Sequence, residues 1–190
     1  MPWRTIAREE LADCRVFSLK KVTRESPTTG RRGEFFYIDS NDWVNVVAIT
    51  EAEELVLIRQ YRHGSDEITL EIPGGIVDHG ETPADAARRE LLEETGFEAG
   101  TVVELGRVRP NPAIIDNWTY TLLATDLSRR GDQRLDDHEE IEVELLPLAE
   151  LDRMLRAGEI THALVVSAFL WYKLHRIDNP AHAVQQDQRG

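Results

Sequence analysis

Three glutamates, Glu90, Glu93 and Glu94, crowd into the run RELLEETGF at residues 89–97. At 3.6 residues per turn, Glu90 and Glu94 stack on one side of a helix and Glu93 lies about 60° from Glu90. Like charges at this spacing repel by roughly a few tenths of a kcal/mol per pair on an exposed helix. The crowding therefore describes either a solvated acidic face or a face that receives something positive. Arg89, four residues before Glu93, can brace it. A Gly-rich turn just upstream can aim backbone carbonyls at the same spot. Clustered carboxylate and carbonyl oxygens suit Mg²⁺ or Mn²⁺, which prefer such hard ligands.

The elements that must position these groups are local and well marked. Thr82 is an N-cap, Pro83 suits the first helical position, Asp85 completes a box-like start and Gly96 is a stop, so a helix is predicted from Pro83 to Thr95. Ala84, Ala87 and Leu91 point to its core side, which leaves the carboxylates on an outer face. Glu81 lies in the turn before the cap. Upstream, VNVVAIT and ELVLIRQYR read as strands whose short EAE connection suggests a hairpin, and EITLEIPGG is a strand broken by Pro73. Downstream come strands in TVVELGRV, NWTYTLLATDL and IEVELLPL. A short helix in LAELDRMLRAG ends at Gly158, and a terminal helix in THALVVSAFLWYKLHR is capped by Thr161. Strands and helices interleave without a regular βαβ rhythm, which favours a mixed sheet covered by helices.

Residues 1–44 form an N-terminal extension with two predicted strands, CRVFSLKKV and EFFYI, around the turn-rich RESPTTGRRG. Two strands alone are marginal, so the extension is expected to pack on the main domain, residues 45–176, or on a second copy in a homodimer. Residues 177–190 read as a frayed tail.

A net charge of −13 excludes nucleic acid as an expected partner, because phosphate backbones bind basic surfaces. An anionic substrate stays compatible where a bound cation or local arginines reverse the field. The single Cys14 cannot form an internal disulfide. The N-terminus has no apolar signal region, and no run approaches the roughly 20 apolar residues of a membrane span. A cytoplasmic protein without a membrane partner is the expectation.

The acidic helix belongs to a longer pattern. Gly75, five residues, Glu81, seven residues and then RELLEETGF spell G-x5-E-x7-R-E-U-x-E-E-x-G-U, with U a bulky apolar residue. Seven fixed letters at ordinary frequencies match by chance less often than about 10⁻⁸ per starting position. Through this box the chain resembles the Nudix hydrolases, and compatible strands extend the resemblance from about Trp43 to the terminal helix. The resemblance implies an α/β/α sandwich and hydrolysis of a nucleoside diphosphate linked to another moiety. It implies Glu90 and Glu94 as metal ligands, Glu93 as a ligand or water-bridged support, and the Gly74 carbonyl as a further ligand. Glu81 and Arg89 would orient turn and helix.

Four further features resemble the ADP-ribose and nucleoside diphosphate sugar pyrophosphatases of that family. They are Pro112 sixteen residues past Gly96, the N-terminal extension, the strand end Gln60-Tyr61-Arg62, and EIPGG at 71–75. The loop NPAIIDN departs from the S-P-G followed by an acid found in many ADP-ribose hydrolases, which leaves the base and distal sugar open. Water would attack one phosphorus in line, with Mg²⁺ spreading the charge. The general base is expected in the acidic loop LDDHEEIEV, with Glu139 preferred over Asp137 and Glu140, and His138 read as a surface residue. Arg62 and Arg59 could hold the distal phosphate bidentately. Trp43 is the expected base platform, and Trp171 is expected to pack on the last helix. Two other activities fit less closely: a pyrophosphatase of nucleoside triphosphates or dinucleoside polyphosphates, and a non-catalytic nucleotide-binding module, whose box is typically eroded whereas this one is intact.

Overall fold

The computed structural model describes residues 1–135 and 139–179, which divide into two units. The first comprises residues 1–42 and 109–118, and the second residues 43–108 and the chain from 119 onward.

In the first unit, β1 (Arg4–Asp13), β2 (Phe17–Glu25) and β3 (Arg32–Ser40) pair in that order, antiparallel throughout. Two strands were expected, and β1 is an addition. It is exposed along its whole length, so it carries no buried apolar alternation to be read. Cross-strand charges accompany it instead: Lys21 to Glu9 at 2.7 Å and Arg4 to Glu25 at 2.5 Å. Segment 109–118 joins this unit rather than the main domain. The Ile38 amide donates to the Ile114 carbonyl at 2.7 Å, and the Asp116 amide to the Ile38 carbonyl at 3.2 Å. The boundary thus falls at Asp42, two residues before the expected 44.

The second unit is organised by β4 (Trp43–Ala48), one of the two interior strands of a four-stranded sheet. Its order is β7-β4-β9-β8, with β7 (Gly74–Ile76), β8 (Phe97–Val108) and β9 (Thr119–Arg129). β4 runs parallel to β9 and antiparallel to β7, so the sheet is mixed. Alternate side chains of a strand point to opposite faces, and both faces of β4 are apolar. Val44, Val46 and Ala48 pack with Ala86, Ala87 and Leu91 of α1 (Pro83–Thr95). Val47 packs with Phe169 and Tyr172 of α3 (Ala163–Asp178), and with Leu151 and Met154 of α2 (Leu151–Ala157). Helices cover both faces, giving an α/β/α sandwich. Leu91 has no solvent exposure, and truncating such a side chain to Ala costs about 2–5 kcal/mol.

A second, antiparallel sheet has the order β10-β5-β6, with β5 (Glu54–Arg62), β6 (Glu67–Glu71) and β10 (Ile141–Pro147). The expected β4–β5 hairpin does not form. Both edges of β4 are occupied by β7 and β9, so β4 and β5 share core packing but no ladder, and just past β4 the isolated bridge Ile49 to Leu55 joins the two segments. The cap of α3 is His162, whose Nδ1 accepts the Leu164 amide at 3.3 Å, and not Thr161. That helix continues to Asp178, past the expected start of the tail. Among the described residues, no helix is long and apolar enough to cross a membrane.

Candidate active site

α1 begins and ends as its sequence dictates. Thr82 Oγ1 accepts the Asp85 amide at 3.2 Å and donates to the Asp85 carboxylate at 2.7 Å. Gly96 adopts φ 74°, a conformation that favours glycine, and its amide closes on the Leu92 carbonyl at 2.9 Å. These caps fix the rotation of the helix against β4, and with it the aim of the three glutamates.

Arg89 ties the Gly-rich turn to the helix. Its guanidinium holds both Glu81 oxygens, at 3.1 and 3.0 Å, and donates to the Ile76 carbonyl at 2.9 Å. It also reaches Glu90 at 2.7 Å and Glu93 at 3.3 Å. The same pairing holds the Glu81 carboxyl below the ordinary carboxylate value and raises that of Arg89, Glu81 being the largest cause. Glu81 in turn accepts the Asp78 amide at 3.1 Å, which closes the turn. A Cβ on Gly75 would meet the Glu90 carboxylate, which would have to turn away from Arg89 to make room.

Glu94 departs from the expected outer face. It is 3% exposed and packs under β7, where the Gly74 amide donates to its Oε2 at 2.9 Å. Burial pushes its carboxyl well above the usual value; the Gly74 hydrogen bond opposes this, and the charges of Glu90 and Glu139 add to it. The Glu90 carboxyl is raised too, first by burial, against the pull of Arg89 and with the repulsion of Glu93 and Glu139. Glu139 is half-buried, and its charge reaches Glu90, Glu94 and Arg62. The preferred base and the acidic helix are therefore brought together. Glu140 is exposed, whereas Asp137 and His138 lie outside the described residues.

These oxygens fit a divalent cation. Glu90 raises the proton affinity of buried Glu94, and a positive charge placed beside the two relieves that. The donors are hard oxygens on a rigid helix. Among the described residues, no three acidic, His or Cys side chains converge into a ready-made cage, because Glu90 and Glu93 turn toward Arg89.

Beside the acids, Trp43, Asn45, Arg62, Gly74, Gly75 and His162 line a cleft of about 280 Å³. Arg62 presents two nitrogens to Glu71, at 2.7 and 2.6 Å, and Thr69 Oγ1 donates to the same carboxylate at 2.5 Å. His162 Nε2 stands 4.0 Å from it. The bidentate edge expected for a phosphate is thus given to Glu71, and Arg62 meets the cleft with the remainder of its guanidinium. Arg59 is not brought to this cleft. It lies three residues from Arg62 on a regular strand, hence on the opposite face, and binds Glu144 at 2.8 Å. Pro112 belongs to the N-terminal unit and lines a different cleft of about 770 Å³ with Trp3, Phe35 and Tyr37. That larger cleft contains none of the clustered glutamates of the box. Glu71 and His162 were not singled out beforehand, because what marks them is pairing across strands and helices rather than spacing along the chain. Asn45 was missed likewise; its Nδ2 is buried beside Gly74 with no acceptor among the described residues.

Comparison with known proteins agrees with this geometry. The NUDIX domain family matches residues 41–169. An ADP-ribose pyrophosphatase of Bacillus subtilis (strain 168) is 28% identical over 172 residues, covering 90% of this chain and 92% of the relative. An ADP-ribose pyrophosphatase of Mycobacterium tuberculosis is 30% identical over 169 residues, 87% of this chain and 81% of the relative. A crystal structure of an ADP compounds hydrolase superposes with a TM-score of 0.84 at 26% identity, covering 94% of this chain and 96% of that one.

Proposed function

This chain belongs to the NUDIX domain family of hydrolases, and from that premise we propose that it hydrolyses the pyrophosphate bond of ADP-ribose or another nucleoside diphosphate sugar with Mg²⁺. The products are a nucleoside monophosphate and a sugar phosphate. The observation that carries this reading is buried Glu94 beside part-buried Glu90: among the described residues no side-chain cation hydrogen-bonds Glu94 as Arg62 does Glu71, and both carboxyls are raised. The names of the relatives support the choice of substrate class.

Glu90, Glu94 and the Gly74 carbonyl hold the metal in this reading, with Glu93 as a ligand or water-bridged support. Held by these residues, Mg²⁺ would supply Lewis acidity and lower the pKa of a bound water. Arg89 and Glu81 keep turn and helix in register. Glu139 takes the proton from water as it attacks phosphorus in line. Arg62, rather than Arg59, receives the distal phosphate, and Trp43 offers an aromatic face to the base. Pro112 enters this reading only through its sequence position past the box. A homodimer through the N-terminal unit accompanies the reading, since Trp3, Ile6, Leu11, Phe35 and Phe36 are exposed on its sheet. A cytoplasmic setting is in keeping with the free, exposed Cys14.

The test is a phosphate-release panel coupled to a phosphatase, run over nucleoside diphosphate sugars and nucleoside triphosphates with Mg²⁺ and with excess EDTA. Fastest release from a nucleoside diphosphate sugar, abolished by EDTA, is expected. Faster release from triphosphates would replace the substrate class, and turnover unchanged by EDTA would remove the metal assignment.

A further inference from the structure

We propose that Gln133 is a positioning residue whose carboxamide staples the loop carrying Glu139 onto the C-terminal turn of the helix carrying Glu90, Glu93 and Glu94. The inference rests on the functional reading above, in which that loop supplies the base.

The last carbonyls of an α-helix have no partner within the helix. In α1 the first of them, Leu92 O, is satisfied locally by the Gly96 amide at 2.9 Å. The next two are taken by the loop. The Arg134 amide donates to Glu93 O at 2.8 Å, and Gln133 Nε2 donates to Glu94 O at 2.6 Å. The approach is close. The Arg130 amide donates to Gly96 O at 2.9 Å, and a Cβ on Gly96 would collide with the Gly131 carbonyl.

Gln133 does a second thing at once. The same Nε2 donates to Ile141 O at 3.0 Å, at the first residue of β10. A primary amide nitrogen carries two protons, and here each has a carbonyl. One carbonyl is on the metal-side helix, and the other is where the chain re-enters the sheet. Glu139 stands two residues before that second anchor, so the strand entry that carries it is pinned to the backbone of Glu93 and Glu94. The side chains of those two residues face the reaction centre. A shift of about 1 Å between base and metal ligands is enough to lose catalysis, so the staple sits where it matters. Glutamine suits this double donation, because a glutamate carboxylate has no proton to donate and methionine fills the space without donors.

The test uses the full chain with Mg²⁺ and ADP-ribose as the probe substrate. Gln133→Met is expected to lower kcat by about 10- to 100-fold, less than or near the roughly 10²–10⁴-fold of a lost base, with KM within about 3-fold. Gln133→Glu, which sets an acceptor against two carbonyls, is expected to lose at least as much. In a Glu139→Gln background, Gln133→Met is expected to add no further loss, because both changes act on one step. Independently of turnover, hydrogen exchange of the Arg134 amide should be about 10-fold faster in Gln133→Met, as expected for local opening. Thermal unfolding checks that each variant is folded, and Gln133→Asn, one methylene shorter, replaces one that is not. Wild-type kcat in the variants, fully additive losses with Glu139→Gln, or unchanged Arg134 exchange would each overturn the proposal. Should the wild-type chain hydrolyse no nucleoside diphosphate sugar, the functional reading falls, and the Arg134 exchange still decides whether the staple exists.

Discussion

Glu71 on β6 and Glu94 on α1 are buried to the same extent, each 3% exposed, yet their carboxyls are driven in opposite directions. Burial alone raises both, since it disfavours the charged form. At Glu71 that effect is overcome by hydrogen bonds from Arg62 and Thr69, and the carboxyl ends below its ordinary value. At Glu94 the opposing forces are one backbone amide and, more weakly, the charge of Arg62, while Glu90 and Glu139 add repulsion. The protein completes one buried carboxylate with its own cation; in the proposed reading the other is completed by a cation from outside. The first arrangement holds the fold and, in that reading, the second serves the reaction. A helix terminus or an acidic count would not separate the two, because what differs is the partner set.

The largest effect that tests this contrast is on turnover. Glu94→Gln should lower kcat by roughly 10²–10³-fold or more, the scale of losing one electrostatic contact at a reacting centre. Its stability without metal should be unchanged or higher by up to about 1 kcal/mol, because a buried, repelled charge is removed. Steady-state kinetics with Mg²⁺ and a urea midpoint in EDTA measure both. A variant turning over like wild type at saturating Mg²⁺ would place Glu94 outside the metal site.

Arg62→Met should act on stability and, through the lost contact to the distal phosphate, raise KM. It leaves Glu71 buried without its partner, and a loss of roughly 3 kcal/mol is expected, at the lower end for a broken buried pair because Arg62 is 40% exposed. The double variant Arg62→Met with Glu71→Leu should recover much of that loss. An unchanged urea midpoint for Arg62→Met would show that the pair does not hold the fold.

The opposed shifts also predict how stability follows pH. The lowered Glu71 carboxyl contributes stability that is present above its ordinary value of 4.5 and is lost as pH falls through its lower folded value. The raised Glu90 and Glu94 carboxyls contribute in the metal-free protein below 4.5, and that contribution is lost as pH rises through their folded values. In EDTA the urea midpoint should therefore fall as pH rises from 4.5, and Mg²⁺, by favouring the charged forms, should restore it. The Mg²⁺ concentration for half-maximal stabilisation should drop with rising pH. A Mg²⁺ requirement independent of pH would break the comparison at its centre.

The smallest effect belongs to Thr69→Val, which removes one hydrogen bond from Glu71 but keeps Arg62. About 1 kcal/mol of stability should be lost, with kcat near wild type. A larger loss in kcat than in stability would mean that the Glu71 cluster also acts on the reaction.

Much of the acid-bearing segment was legible because its signals are local. Thr82, Pro83 and Gly96 mark the helix ends within one turn each, and the spacing from Gly75 to Phe97 needs no knowledge of distant residues. Helical geometry placed Glu90 beside Glu94, and Arg89 within reach of Glu93, as found. What covers that helix face is a different matter. The burial of Glu94 depends on β7 and the Gly74 amide twenty residues away, which no wheel of α1 contains. The Arg62–Glu71 pair, the cap by His162 and the two hydrogen bonds of Gln133 to Glu94 and Ile141 depend likewise on which strands and helices meet. So does the separation of β4 from β5, whose short connection suggested a hairpin until β7 and β9 took both edges of β4. The sequence by itself determined the periodicities, the caps and the acid-rich spacing, because steric and hydrogen-bond preferences act over a few residues. Only the tertiary structure decided which carboxylates lose water and which cation each one meets, since desolvation and pairing depend on groups that folding brings together from distant parts of the chain.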